Sequence, residues 1–388
     1  MSNTLTDLAA DIYKAADQVG RQLVGFIPSV TINGDAIERV AKGDTIRSHF
    51  TRTPTVNGTL TPAMTIPEGT DQTVDNKSLV VNQYASVMIP WTGEDIKHVN
   101  NGSGFETIYG DQIKQAMGAI ADTIEAYLFG VMYKKSSRAV GTAGTTPFGS
   151  DFDLVAEARQ ILVDNKCPAN DNMITLVVNS LAGTKLRNLA QLQKANEAGG
   201  TQLLRQGALL DLQGLMLKES AGISTHTKGA GTGYDVDLAL GYGIGDTTIH
   251  LDGGTVNSTG IKAGDVITFA GDSRNYIVGT GTTEIEADIV LNAPGLRATL
   301  ADAVEMTIGN SYTPNLAFHK GAVELVVRPP SLPPGGDAAV DQMTVQDPWT
   351  GLVYDIAVYK GYQKTMIDIR CIYDAVVWKP EFVATVMG

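Results

Sequence analysis

Cysteine is scarce: only Cys167 and Cys371 occur in 388 residues, too far apart for a metal-ligand spacing. A chain of this length buries a core without disulfide or metal staples, so two free thiols are expected. Basic residues are also short, with 29 Lys and Arg against 42 Asp and Glu, a net charge of −13. That excludes gripping nucleic acid through a net basic surface, because phosphate contacts need clustered cations. No apolar run approaches the ~18–20 residues that cross a bilayer. Residues 1–7 show no basic region followed by an apolar one, so no signal peptide is expected. Charged residues reach 18%, below the usual ~25%.

Glycine, by contrast, is plentiful at 42 residues, well above the usual ~7%. With low charge and many threonines, this points to extended, turn-rich structure and surface that partners cover. At about 150 residues per domain, two or three domains are expected.

Residues 4–19 carry a helical stripe of Leu5, Leu8, Ile12 and Val19. So short a helix is marginal alone, which implies docking on something else. Residues 51–90 interleave Pro54, Pro62 and Pro67 with Thr, Gly and Asn, and Ser78 to Pro90 alternates loosely as a strand. Proline confines such a segment to an edge strand or ribbon. A two-stranded ribbon is barely stable by itself. Thr92-Gly93-Glu94-Asp95 reads as a helix cap with acid in the first turn.

From about Phe105 to Lys134, Ile113, Met117, Ile120, Ile124, Tyr127/Leu128 and Val131 recur at alternating steps of four and three. This predicts one long amphipathic helix, about 42 Å for roughly 28 residues. A helix over about Asp151–Asn165 must stop before Pro168. Met173–Asn179 reads as a buried strand, and Ser180 caps a helix to about Asn196. Together these form an α/β layer.

Helical periodicity then vanishes from Gly222 to Gly309. Short strands at Thr247–Leu251, Asp265–Ala270, Arg274–Gly279, Glu284–Leu291 and Val304–Ile308 alternate with Gly/Asp turns. They predict a small all-β sandwich or barrel. The helical and α/β pattern resumes at Pro314, so the β unit reads as an insertion. Long strands follow at Met343–Gln346, Leu352–Tyr359, Lys364–Tyr373 and Ala375–Trp378.

Chemical motifs are sparse. The glycine runs at 229–233 and 241–245 neither follow a strand nor open a helix, as an anion site requires, so turns are expected. Gly271-Asp272-Ser273 is similar to the nucleophile tripeptide of some serine hydrolases. It falls between two strands as a hairpin turn, and His319 has no Asp-x-x-His arrangement to serve as base. The five histidines, His49, His98, His226, His250 and His319, are scattered and read as solvated or capping. Asp235 and Asp237 share a strand face, where a solvated surface is expected and cation binding is the alternative. Trp91, Trp349 and Trp378 read as core or interface anchors. No catalytic, cofactor or metal site is expected.

The order of parts resembles the major capsid (coat) protein of tailed bacteriophages, the Hong Kong-type capsid fold. Local phrases agree. Leu203-Leu204-Arg205-Gln206-Gly207 followed by residues 213–220 is similar to a segment of its axial domain. Asn315-Leu316-Ala317-Phe318-His319-Lys320-Gly321-Ala322 resembles its Leu-Ala-Phe-His turn before a helix or strand, and Trp378-Lys379-Pro380-Glu381 its C-terminal Pro-Glu. Residues 263–271 are similar to the insertion domain of the short-tailed Salmonella phage coat protein.

The resemblance implies an α+β fold. It has an N-terminal arm (1–50), an extended loop (51–90), a peripheral domain with the spine helix (91–149 and 343–388), an axial domain (150–222 and 310–342) and an inserted β-barrel (223–309). It implies a structural protein, not an enzyme, without cofactor or membrane. Copies of the chain would form hexamers and pentamers of an icosahedral shell, assembled in the bacterial cytoplasm and enclosing double-stranded DNA. A separate scaffolding protein is implied, since no long N-terminal scaffolding segment is seen, with a portal protein at one vertex and a possible decoration protein. The subunit-contact candidates are Leu5, Leu8 and Ile12 in the arm, Lys77 in the extended loop, Trp91, and Asp252 in the barrel. Some relatives cross-link Lys to Asn between subunits. Lys77 beside Asn76 has no identifiable matching Asn and acid, so cross-linking is not expected. The competing reading is a phage tail or receptor-binding β protein, or a hydrolase with a β accessory domain.

Replacing Leu8→Asp together with Ile12→Asp places charges in the arm's contact, at several kcal/mol if unpaired. Monomers are expected to fold while shell yield, read by sedimentation, falls; normal yield would show that the stripe makes no contact.

Overall fold

The computed structural model describes residues 25–34, 38–51, 62, 64–66, 74–100, 105–169, 171–189, 211–255, 259–348 and 350–388. The arm stripe Leu5, Leu8 and Ile12, and Trp349, lie outside the described residues. A 3-10 turn at Ile27–Ser29 leads into β1 (Thr31–Gly34). β2 (Thr45–Thr51), β3 (Val74–Val80) and β4 (Gln83–Thr92) precede α1 (Gly93–Asn100) and α2 (Phe105–Lys134). Next come β5 (Arg138–Val140), α3 (Asp153–Asp164), β6 (Ile174–Val178), α4 (Ser180–Asn188) and β7 (Met216–Glu219). The next strands are β8 (Tyr234–Val236), β9 (Thr248–Asp252), β10 (Val266–Phe269), β11 (Asn275–Thr280), β12 (Ala287–Leu291) and β13 (Glu305–Ile308). The last are β14 (Pro314–His319), β15 (Val323–Arg328), β16 (Asp341–Gln346), β17 (Val353–Gly361), β18 (Lys364–Val377) and β19 (Val383–Met387).

The expected spine helix is α2, a single run of 30 residues, about 45 Å long at the usual rise. Its sequence stripe is its buried face: Ile113, Met117, Ile120, Ile124 and Leu128 are buried, with Tyr127 and Val131 packed beside them. Before it, Thr92 Oγ caps α1 by accepting from Asp95 N at 3.2 Å, while Asp95 Oδ2 accepts from Thr92 N. This reciprocal pair is the cap that the sequence suggested.

α2 lies on one face of a six-stranded sheet ordered β1-β15-β18-β17-β16, with β4 also on β18. β18 has 14 residues and serves three neighbours. One edge pairs with β17 and then β15; the other pairs with β4 from Lys364 to Tyr373. The break expected after Tyr373 is absent. Asp374 stays inside the strand because its carboxylate is satisfied, by Tyr127 OH at 2.7 Å and Asn82 N at 3.0 Å.

The segment 78–90 is two strands rather than one. Val81 turns inward onto Val40, Val326 and Ile372, and the chain changes partner there. Before it, β3 pairs with β2 as a separate ribbon; after it, β4 is an edge strand of the main sheet, consistent with Pro90. The ribbon therefore recruits residues 45–51, which the sequence reading divided between arm and loop.

β5, β19, β14, β6 and β7 continue a second sheet, with α3 and α4 packed on it. The cap of α4 is Asn179, whose Oδ1 accepts from Ala182 N at 2.8 Å; Ser180 is already helical, and α4 ends at Asn188. Residues 314–328 form two strands, not a helical stretch. Every residue of β14 is buried between β19 and β6, and after the turn Lys320–Ala322 the chain crosses to the six-stranded sheet as β15. β19 makes the opposite crossing. Sheet membership thus does not follow the boundary drawn at residue 343.

The insertion is a closed six-stranded antiparallel barrel, β10-β13-β8-β9-β12-β11 returning to β10. Ile249, Leu251, Ile267 and Phe269 fill it, together with Tyr234, Val236, Tyr276, Val278, Ile289, Leu291 and Met306. Ile308 packs at the edge of this core. Val266, Ile277 and Val290 do not fill it. Strand alternation turns Ile277 outward between Tyr276 and Val278, and Val290 outward between Ile289 and Leu291. Val266 and Ile277 instead join Ala139, Tyr312 and Met387 in a junction cluster. There the first half of β11 pairs with β5, so the barrel and the α/β sheet share a seam. Entry and exit lie side by side as a bridge, His226↔Tyr312, and His226 Nε2 meets Asp265 Oδ1 at 2.7 Å.

Ile120→Ala is expected to cost about 2–5 kcal/mol as a large-to-small core change, whereas Gln115→Ala, on the exposed face, should cost little. Equal shifts in the denaturant midpoint would contradict the buried orientation of α2.

Candidate assembly surfaces

The N-terminal segment enters the fold at a buried carboxylate. Glu125, on α2, is 2% exposed. Its Oε1 accepts from Gly25 N at 2.7 Å, Phe26 N at 2.8 Å and Ser220 Oγ at 2.7 Å; Oε2 accepts from Ile27 N at 3.0 Å. The backbone donors at the start of a helical turn have no partners within the turn, and an isolated buried carboxylate is costly. Each need satisfies the other. Ser29 extends the knot, donating to Gly25 O at 2.6 Å and accepting from Lys218 Nζ at 2.8 Å. Burial lowers the Lys218 pKa, with Lys320 adding to the effect and Glu125 opposing it. Gly25 fits only as glycine, since a Cβ would lie 2.7 Å from Glu219 O and from Val177 Cγ1. The point from which residues 1–24 depart is therefore fixed.

The ribbon is tied to the rest of the chain through β3. Lys77 Nζ donates to Trp378 O at 3.0 Å and sits 5.2 Å from that indole ring, whose Nε1 donates to Glu324 at 2.6 Å. Burial lowers the Lys77 pKa, with Glu381 opposing and Lys379 adding to it. Lys77 thus ties the ribbon to its own chain. Among the described residues β2 and β3 pair only with each other, and beyond them Met64 and Ile66 are fully exposed. Trp91 is likewise spent within the chain: it lies in the main core and donates to Gln112 Oε1 at 2.9 Å. Asp252 lies on the outer barrel surface, opposite Asp235 on β8.

The outer face of the six-stranded sheet is polar at its centre. Asp355, fully buried, accepts from Arg370 Nε at 3.0 Å, Arg39 Nη2 at 2.9 Å and Gln342 Nε2 at 2.8 Å. Arg370 also reaches Asp337 at 3.1 Å and Tyr359 OH at 3.0 Å. Burial opposes its charge, but the hydrogen bonds to Asp355 and Asp337 prevail and raise its pKa. Asp368 lies beside this network, 3.6 Å from Arg370, with Oδ1 buried and without a hydrogen-bond partner. Burial raises its pKa; Arg370 opposes this while Asp355 and Asp337 add to it. Across on β4, Met88 and Tyr84 remain exposed.

The other sequence motifs fall into place as structure. Gly271-Asp272-Ser273 is the β10–β11 turn: Asp272 N donates to Phe269 O at 2.9 Å, and its carboxylate accepts from Tyr276 OH at 2.6 Å. His319 Nδ1 caps the turn at Gly321, as a capping reading allows, and Nε2 meets Asp171 at 2.8 Å. His226 and His250 pair with acids instead of facing solvent alone. The side chains of His49 and His98 lie outside the described residues. Glu125, Asp355 and Arg370 escaped sequence reading because their partners are remote; Glu125 and Gly25 are 100 positions apart.

No family model matches the chain, and no curated protein sequence does. Among solved structures, it is similar to the capsid of the cyanophage P-SCSP1u, at 12% identity and TM-score 0.48 over 93% of this chain and 87% of that one. The mature capsid of bacteriophage PhiM1 gives 11% identity and TM-score 0.47 over 94% and 86%. A structure from Mycobacterium phage Che8 gives 16% and 0.46 over 89% and 85%.

A raised carboxyl pKa means that the folded state holds its proton more tightly than the unfolded chain does. Asp368 therefore weakens the fold as pH rises from about 4, the ordinary Asp range, through its raised value. Asp368→Asn is expected to raise the denaturant midpoint at neutral pH, with a smaller gain in acid. A lower midpoint at neutral pH would mean that the pairing with Arg370 outweighs burial.

Proposed function

We propose that this chain is the major capsid subunit of a tailed bacteriophage, a structural protein whose copies close into an icosahedral shell around double-stranded DNA. The observation that carries the reading is the ribbon β2–β3. Its strands lack a third partner among the described residues, and a lone pair of strands is marginal. The segment joining its strands carries fully exposed Met64 and Ile66, while the framework has its own buried core. Such an element is completed by a neighbour, and cyclic capsomers supply one neighbour to every copy. The long spine argues against an all-β tail or adhesin protein. The net charge of −13 suits a wall that encloses DNA without gripping its phosphates. In this reading the arm, the outer sheet face and the barrel surface carrying Asp252 are the remaining contacts. A scaffolding protein and a portal are partners from outside the chain, and assembly occurs in the bacterial cytoplasm.

Met64→Asp with Ile66→Asp tests this on the full chain. Charges forced into a contact cost several kcal/mol when unpaired. Subunits should melt as wild type, while sedimentation and electron microscopy show loss of shells. Wild-type shell yield would exclude the ribbon as the closing contact.

A further inference from the structure

The outer face of the barrel gathers acids around one histidine. Asp288 lies opposite His250, and Asp235 opposite Asp252, in the strand registers. Asp237 N donates to His250 O at 3.1 Å, which places Asp237 on the other flank of the histidine. Pairing of Ala287 with Leu251 brings Glu286 beside Asp252. Val236, Ile249, Leu251 and Ile289 point into the barrel, so these six polar residues all face out. Like charges opposite each other on adjacent strands destabilise a sheet. Five acids thus share this face with His250, the one basic residue of the six.

The histidine is oriented to hold one. Its Nδ1 is 2.7 Å from Asp288 Oδ1, while Nε2 faces Glu286 Oε1 at 3.7 Å and Asp237 Oδ2 at 4.0 Å. With Nδ1 turned to Asp288, Nε2 is the ring nitrogen that faces two carboxylates, where a metal ion can take the place of a proton. A carboxylate behind the distal nitrogen is also how proteins orient metal-bound imidazoles.

We propose that His250 Nε2, Asp237 and Glu286 form a divalent transition-metal site on the barrel surface, with Asp288 positioning the imidazole. The three ligand atoms lie within 4.8 Å of one another. Ligands about 2.1 Å from a common zinc ion are at most about 4.2 Å apart. Exposed Asp237 and Glu286 close that difference by side-chain rotation. One imidazole and two carboxylates favour zinc-like ions over magnesium, which prefers all-oxygen surroundings. The ligands come from just after β8, the middle of β9 and just before β12, so the ion would clip three strands together. The site stands apart from the shell reading and does not depend on it.

Full-length protein stripped with EDTA is titrated with ZnCl2 by calorimetry, and its melting is followed in parallel. One equivalent should bind and raise Tm, since a ligand of the folded state alone stabilises it. His250→Ala and Glu286→Gln should abolish that binding, and Asp288→Asn should weaken it about tenfold. Glu94→Gln, an exposed acid elsewhere, should leave it unchanged. Each variant's metal-free melting curve checks folding. Absence of binding, zinc affinity that survives His250→Ala, or magnesium binding equally tightly would overturn the proposal.

Discussion

The Glu125 carboxylate, about two-thirds of the way along the spine helix, is buried and accepts hydrogen bonds from Gly25, Phe26, Ile27 and Ser220. Those four residues belong to the incoming N-terminal segment and to the strand–turn following β7. One side chain thus joins the arm, the spine and the α/β layer at a single point. Removing one side of a buried charged contact costs about 3–5 kcal/mol, because the charge left behind has nowhere to go. The arrangement fixes a register as well as contributing stability. Phe26, its backbone held at this carboxylate, stacks on Phe318 at 6.1 Å and lies 5.8 Å from Phe129.

From that anchor outward, the molecule divides into parts complete in themselves and parts that are not. The main sheet satisfies β18 on both edges, the barrel closes on itself, and the junction cluster seals the seam between barrel and α/β layer. Closing the barrel removes the exposed strand edges that would otherwise invite irregular pairing. The ribbon keeps both its edges among the described residues, and the sheet face around Met88 and Asp368 combines exposed apolar surface with a buried, unpartnered oxygen. A subunit that left such features uncovered would be prone to aggregate; one that covers them with copies of itself turns the same features into an assembly code.

Much of this was legible in the sequence where periodicity spoke. The spine helix follows from the spacing of Ile113, Met117, Ile120 and Ile124, and the barrel from short β-branched runs between glycine turns. Reading was less successful where one residue changes the chain's direction. Val81 ends the ribbon, yet its neighbours in sequence alternate on both sides of it. Val266, Ile277 and Val290 have the composition of core residues but alternate onto the outer side, and nothing local tells the inside of a barrel from its seam. Tertiary hydrogen bonds explain the remainder: Asp374 keeps β18 continuous through partners on α2 and before β4, and Asn179 rather than Ser180 caps α4 because its carbonyl reaches Ala182 N. The acids around His250 were visible only in part, as Asp235 and Asp237 on one strand face, since the histidine and the other acids come from strands that register beside them.

Amide hydrogen exchange, read by mass spectrometry on unassembled subunits and on assembled particles of the same protein, tests most directly the division into a closed framework and open assembly surfaces. The expected result is equal, strong protection of residues 113–132 in both states, with protection of residues 45–51 and 74–80 gained only in particles. Ribbon amides already as protected in the free subunit as the spine, or left unprotected in particles, would contradict the account.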